Sequence, residues 1–118
     1  MRVQLEGQTL RLRVDEAELA RLLSGDFAEN CTLLPDGRTE VQRIRLADTL
    51  AWRREDAIWN IDIPQADVRA LSDRLPSRDG LRFDLRGSTV HTLEVLFDVD
   101  VRDSARRRLH KPTEGDAS

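Results

Sequence analysis

The chain predicts an α+β fold, with mostly antiparallel strands in a curled or barrel-like sheet and two helices packed against it. Three observations carry this expectation. Leu10-Arg-Leu-Arg-Val14 alternates apolar and charged residues and runs straight into a helical pattern, and Trp59-Asn-Ile-Asp-Ile63 does the same. Leu10, Leu12, Val14, Ala17, Leu19 and Leu22 match Trp59, Ile61, Ile63, Ala66, Val68 and Leu71 at one common offset of 49 residues. Glycine-, proline- and aspartate-rich turns separate further alternating segments on either side of both helices. The order is strand-strand-helix-strand-strand, given twice. The expected units are about 1–47 and 48–101, inside one α+β domain of residues 1–103, followed by a basic, flexible tail over 104–118.

The first hairpin turns at Gly7-Gln8, placing Leu5 opposite Leu10 and Val3 opposite Leu12. Arg2, Gln4, Arg11 and Arg13 take the other face. Asp15 is the expected N-cap of helix one, and Glu18 completes a capping box. Leu19, Leu22 and Leu23 form its apolar stripe, and Gly25 ends it. Phe27 to Leu34 is extended, Pro35-Asp-Gly-Arg38 is a turn, and Val41 to Leu46 is extended again. The apolar parity changes between Val41 and Ile44, which predicts a bulge.

In the second unit, a turn centred on Glu55-Asp56 puts Trp52 across from Trp59, with Leu50, Ile61 and Ile63 on the same face. Pro64 suits the first turn of helix two, Val68, Leu71 and Leu75 form its stripe, and Leu75-Pro76 ends it. A three-residue loop at Gly87-Ser-Thr89 sets Leu85 across from His91 and Phe83 across from Leu93, keeping the apolar faces together.

The 118 residues allow one domain with a modest core. Charged residues make up 35% and alternate with apolar ones, which favours a fold over disorder. Net charge is −3, but residues 102–118 hold five basic and three acidic groups, which leaves 14 basic against 19 acidic over the rest. A body with that balance repels a phosphate backbone, so nucleic acid is not the expected main partner. The lone Cys31 permits no internal disulfide and fits a reducing, cytoplasmic setting. No apolar run approaches the roughly 20 residues that span a bilayer, and no signal peptide is read at Met1-Arg-Val-Gln-Leu-Glu-Gly7, so neither membrane nor export is expected.

Chemistry-bearing residues are sparse. His91 is the only histidine among residues 1–101. It is the best catalytic candidate, although a rim histidine is its ordinary reading. Cys31, between Asn30 and Thr32, lacks any motif for an activated nucleophile. Asp98 and Asp100 share one strand face, but a solvated sheet surface explains them. With one cysteine and two widely separated histidines, no metal-ligand spacing exists, and no cofactor is expected. Arg2, Arg11 and Arg13, with Arg43, Arg45, Arg53 and Arg54 near the middle strands, are candidates for an anion-binding stripe, diluted by Glu6, Asp48, Glu55 and Asp62. Arg102 to Lys111 is the clearest basic cluster, without aromatic residues to stack bases.

Met1-Arg-Val-Gln-Leu-Glu-Gly-Gln-Thr-Leu-Arg-Leu-Arg-Val14 resembles the opening of a family of small bacterial proteins of unknown function, which begin with a basic-apolar strand, a glycine turn and a Leu-Arg-Leu-Arg-like strand. Ala57-Ile-Trp-Asn-Ile-Asp-Ile-Pro64 is similar to that family's second strand-to-helix junction. The resemblance implies a shared scaffold over residues 1–100 and brings no activity, substrate or site residue. Three functions stay open. The favoured one is a non-enzymatic module that binds a protein partner or forms a homo-oligomer. The others are an enzyme with a site near His91, and a small-anion or ligand-binding module using the arginine-bearing sheet face.

Overall fold

A computed structural model describes residues 1–101 of the chain; the expected tail over 104–118 and the basic cluster from Arg102 lie outside them. Ten elements follow in order: β1 (Arg2–Glu6), β2 (Thr9–Asp15), α1 (Glu16–Leu23), β3 (Phe27–Leu33), β4 (Thr39–Ala47), β5 (Ala51–Glu55), β6 (Ile58–Pro64), α2 (Gln65–Asp73), β7 (Leu81–Arg86) and β8 (Thr92–Asp100). The strands form two separate four-stranded sheets, A in the order β1-β2-β8-β7 and B in the order β3-β4-β6-β5. The expectation of a curled or barrel-like sheet is therefore corrected. Among the described residues, β1 does not pair with β7 nor β3 with β5, so each sheet ends on two open edges; the central contacts are parallel pairs, β2 with β8 and β4 with β6. Four of the six pairings are antiparallel, so the mostly antiparallel character stands.

The duplicated pattern has a three-dimensional counterpart. β1 and β2 correspond to β5 and β6 at the offset of 49, and β4 corresponds to β8 at an offset of 53, with the difference taken up between α2 and β7. The first hairpin of each unit pairs with the second hairpin of the other. The registers agree: Leu12 lies beside Phe97 where Ile61 lies beside Ile44. Even the flanking hydrogen bonds recur, with Glu94 N donating to Gln8 O and Val41 N donating to Ala57 O, both at 2.8 Å. The two units are thus interlocked about a pseudo-twofold relation, and neither sheet belongs to one unit.

The helices are set by local chemistry. The Asp15 side chain accepts from Glu18 N at 2.7 Å and Asp15 N donates to Glu18 Oε1 at 2.9 Å, the reciprocal capping box expected from the sequence. In α2, Pro64 occupies the cap position with no side-chain bond, and the helix ends at Asp73, before the cis Leu75–Pro76 bond. Leu19 and Leu22 of α1 and their equivalents Val68 and Leu71 of α2 are buried. They join Leu10, Leu12, Val14, Ile61 and Ile63 of the strands, with Ala28, Ile44, Val95 and Phe97, in one core. A fully buried aliphatic or aromatic side chain here contributes about 1.5–3 kcal/mol.

Three register expectations need correction. Leu5 does face Leu10 and Val3 does face Leu12. In the second unit, however, Trp52 faces Ile61 and Arg54 faces Trp59, because the turn falls at Asp56-Ala57. Asp56, with φ 53°, takes the left-handed role that Gly7, with φ 56°, has in the first hairpin. The tryptophans still share a face, as diagonal neighbours whose rings meet edge-on at 5.9 Å. No bulge interrupts β3 and β4, which pair continuously from Phe27 with Arg45 to Leu33 with Thr39. Between β7 and β8, Leu85 faces Leu93 and Phe83 faces Val95, so the loop spans 87–91 and His91 lies in it, exposed. The shift keeps apolar residues opposite one another and takes the polar histidine out of the ladder.

Candidate interaction surface

Alternation along the strands of sheet B sends Ala28, Ile44, Leu46, Ile61 and Ile63 toward the core and the residues between them outward. The outward face has two halves. Next to the helices it is charged and internally paired. Arg43 Nε lies 3.0 Å from Glu29 Oε1, and Asp62 is shared by Arg45 Nε at 3.2 Å and Arg53 at 3.5 Å. The Arg43 guanidinium also stacks on Phe27, 4.5 Å from the ring centre. Toward the turns, the face is apolar on β3, β4 and β6 and ends on the charged Glu55 of β5, which faces Ile58. Cys31, Val41 and Ile58 are direct partners across β3, β4 and β6, and Leu33 follows at 71% exposure.

Sheet A is an internal control, because the pseudo-twofold relation assigns each of these positions a counterpart. Where sheet B has Leu33, Cys31, Val41 and Ile58, sheet A has Arg86, Asp84, Glu94 and Thr9 in the same registers. Of those positions, Glu94 is paired with Arg82 Nε of the neighbouring strand at 3.2 Å. One scaffold thus presents a polar surface on one sheet and an apolar one on the other. Near the helices, both sheets keep an ion pair at the same register with its polarity exchanged: Arg13 with Asp98 in sheet A, Asp62 with Arg45 in sheet B.

The inner faces differ at the turn end as well. Sheet B places Trp52, Trp59 and Arg54 there, with Arg54 stacked 5.2 Å from the Trp59 ring centre. Beside them, Asn30 Nδ2 donates to Gln42 Oε1 at 3.0 Å, and Gln42 is only 8% exposed. The registered counterparts of Asn30 and Gln42 in sheet A are Phe83 and Val95.

The sequence-derived candidates are dispersed. Arg2, Arg11 and Arg13 share the outer face of sheet A, where Asp98 lies 3.7 Å from Arg11 and 3.9 Å from Arg13. Arg43 and Arg45 lie on sheet B with carboxylate partners. His91 is at the exposed 87–91 loop, where its backbone N donates to Thr89 Oγ1 at 3.2 Å. It lines neither the cleft of about 410 Å³ beside Gly80 nor the depression of about 490 Å³ over β1 and β2. Asp98 and Asp100 face outward from β8; among the described residues, no group of three or more His, Cys, Asp or Glu is placed to hold a metal ion. Cys31 is an exposed free thiol on an edge strand. No helix among the described residues is long and apolar enough to cross a membrane.

The apolar row itself was not foreseen, although its signal was present. The parity change at Val41 marks a strand that is apolar on both faces, inward through Ile44 and Leu46 and outward through Val41. No family model matches the chain, and neither a curated protein nor a solved structure matches it.

Proposed function

We propose that this chain is a non-enzymatic protein-interaction module whose contact surface is the turn-end half of the outer face of sheet B together with the β3 edge that borders it. The observation that carries this reading is the row of Cys31, Val41 and Ile58 with exposed Leu33, set against the charged Asp84, Glu94 and Arg86 at the equivalent positions of sheet A. Outward apolar side chains in one contiguous patch are stabilised by being covered, and a protein surface is the occupant that matches a flat sheet face. The reading includes a reducing, cytoplasmic setting, in which the exposed Cys31 thiol persists unpaired.

The test is site-specific photo-crosslinking in the native cell. A photoreactive side chain at Leu33 is expected to give a discrete covalent adduct, and the same group at Arg86 none. Absence of an adduct at Leu33, or equal adducts at both positions, overturns the proposal.

A further inference from the structure

Resting on the interaction reading above, we infer that the partner is a second copy of this chain, joined antiparallel through the β3 edge about a twofold axis at Asn30. Among the described residues four strands end the sheets, and three carry charges of the kind that keep edges apart: Arg2 and Glu6 on β1, Arg53, Arg54 and Glu55 on β5, and Arg82, Asp84 and Arg86 on β7. The seven residues of β3 carry one charge, Glu29, already engaged by Arg43 at 3.0 Å. The edge that borders the apolar row is therefore the one with the least protection.

Its backbone is presented for pairing. Val41 N donates to Ala57 O, so the odd-numbered residues of β4 turn toward β6 and the even-numbered ones toward β3. Because Ala28, Asn30 and Thr32 face Ile44, Gln42 and Glu40, these even-numbered residues of β3 spend their backbone groups inside the sheet. Glu29, Cys31 and Leu33 then direct theirs to the open edge, while the Phe27 N–H is taken by Asp26 Oδ1 at 2.8 Å.

The side-chain pattern is self-complementary about Asn30. Antiparallel pairing sets Glu29 against Cys31 of the other copy and Phe27 against Leu33, with no like charges opposed. In that register Glu29 and Cys31 exchange both backbone bonds, on each side of the axis, the two Cys31 side chains become diagonal neighbours, and exposed Leu33 lies beside Phe27 of the other copy. The same operation on β5 would oppose Arg53 to itself. On β1 it would pair Arg2 with Glu6 and Val3 with Leu5, but two of its five residues are charged, against one of seven in β3.

Sedimentation equilibrium of the full chain, with two edge variants, decides the matter. The wild-type chain is expected to show the mass of two chains at high micromolar concentration. Cys31→Glu sets a carboxylate against Glu29 of the other copy, and Cys31→Pro removes an edge N–H that β4 does not use. Both are expected to give the mass of one chain, with circular dichroism and thermal unfolding verifying that each variant is folded. A wild-type chain that stays monomeric, or a folded Cys31→Glu chain that stays dimeric, overturns the inference. A Leu33 photo-adduct with a different protein, alongside a monomeric chain, removes the second copy while leaving the interaction module standing. Absence of any Leu33 adduct removes the module itself.

Discussion

Gly80 shows how closely the segment after α2 approaches β8. A Cβ added at this position would lie 2.4 Å from the Phe97 carbonyl oxygen and closer still to the Asp98 carboxylate. A backbone oxygen inside a ladder cannot retreat as a flexible side chain can. Gly80→Ala is therefore expected to destabilise the fold by about 1–3 kcal/mol, the usual cost of overpacking. Gly87→Ala, which meets nothing within 4 Å, is the neutral control in urea titrations. Asp15 is the other residue with a defined local task. Asp15→Ala removes the side-chain half of the capping box, at an expected cost of about 1 kcal/mol. This cap was readable from Asp15 and Glu18, because its geometry lies within four consecutive residues. The clash at Gly80 was not, since its cause lies on a strand that enters much later in the chain.

Among the elements, β3 and β4 differ most from their counterparts β7 and β8. The partly buried Asn30–Gln42 hydrogen bond stands where the other sheet has the Phe83–Val95 pair. Gln42→Leu removes the acceptor that Asn30 uses and is expected to cost about 1–3 kcal/mol. Replacing Asn30 with Leu as well is expected to recover most of that loss, because no partly buried amide is then left without its partner. A double-mutant cycle by urea unfolding measures the coupling; additive losses would show that the bond contributes nothing of its own. Reading Val41 as a bulge signal shows the limit of parity within a single strand. Parity tells which residues share a face, but an apolar residue facing outward looks the same as a break in the alternation until the neighbouring strands are in place. The Trp52–Trp59 expectation erred for a related reason. The 49-residue offset makes Val3, which faces Leu12, the counterpart of Trp52, and so points to Ile61 as its partner.

For the molecule as a whole, the governing fact is that both sheets are shared between the two units. Each unit taken alone has two hairpins but neither central parallel pair, and those pairs bring together core residues such as Leu12 with Phe97 and Ile44 with Ile61. Segments 1–47 and 48–101, produced as separate chains, are therefore expected to associate one-to-one and recover the strand content of the intact protein. Circular dichroism of the mixture compared with the separate segments checks this; full structure in either segment alone at low concentration would contradict it.

The alternation of Leu10, Leu12 and Val14, the stripe of Leu19 and Leu22, the repeat of both in the second unit, and the Asp15 cap were settled by the order of residues. Each is an interaction within a few positions of the chain, where spacing dictates direction. The pairing of β2 with β8 and β4 with β6, the two open sheets in place of a barrel, and the apolar row joining Cys31, Val41 and Ile58 were settled by packing. A strand's periodicity fixes which side it buries but not which strand lies beside it. That choice follows from how two interlocked units bury one common core.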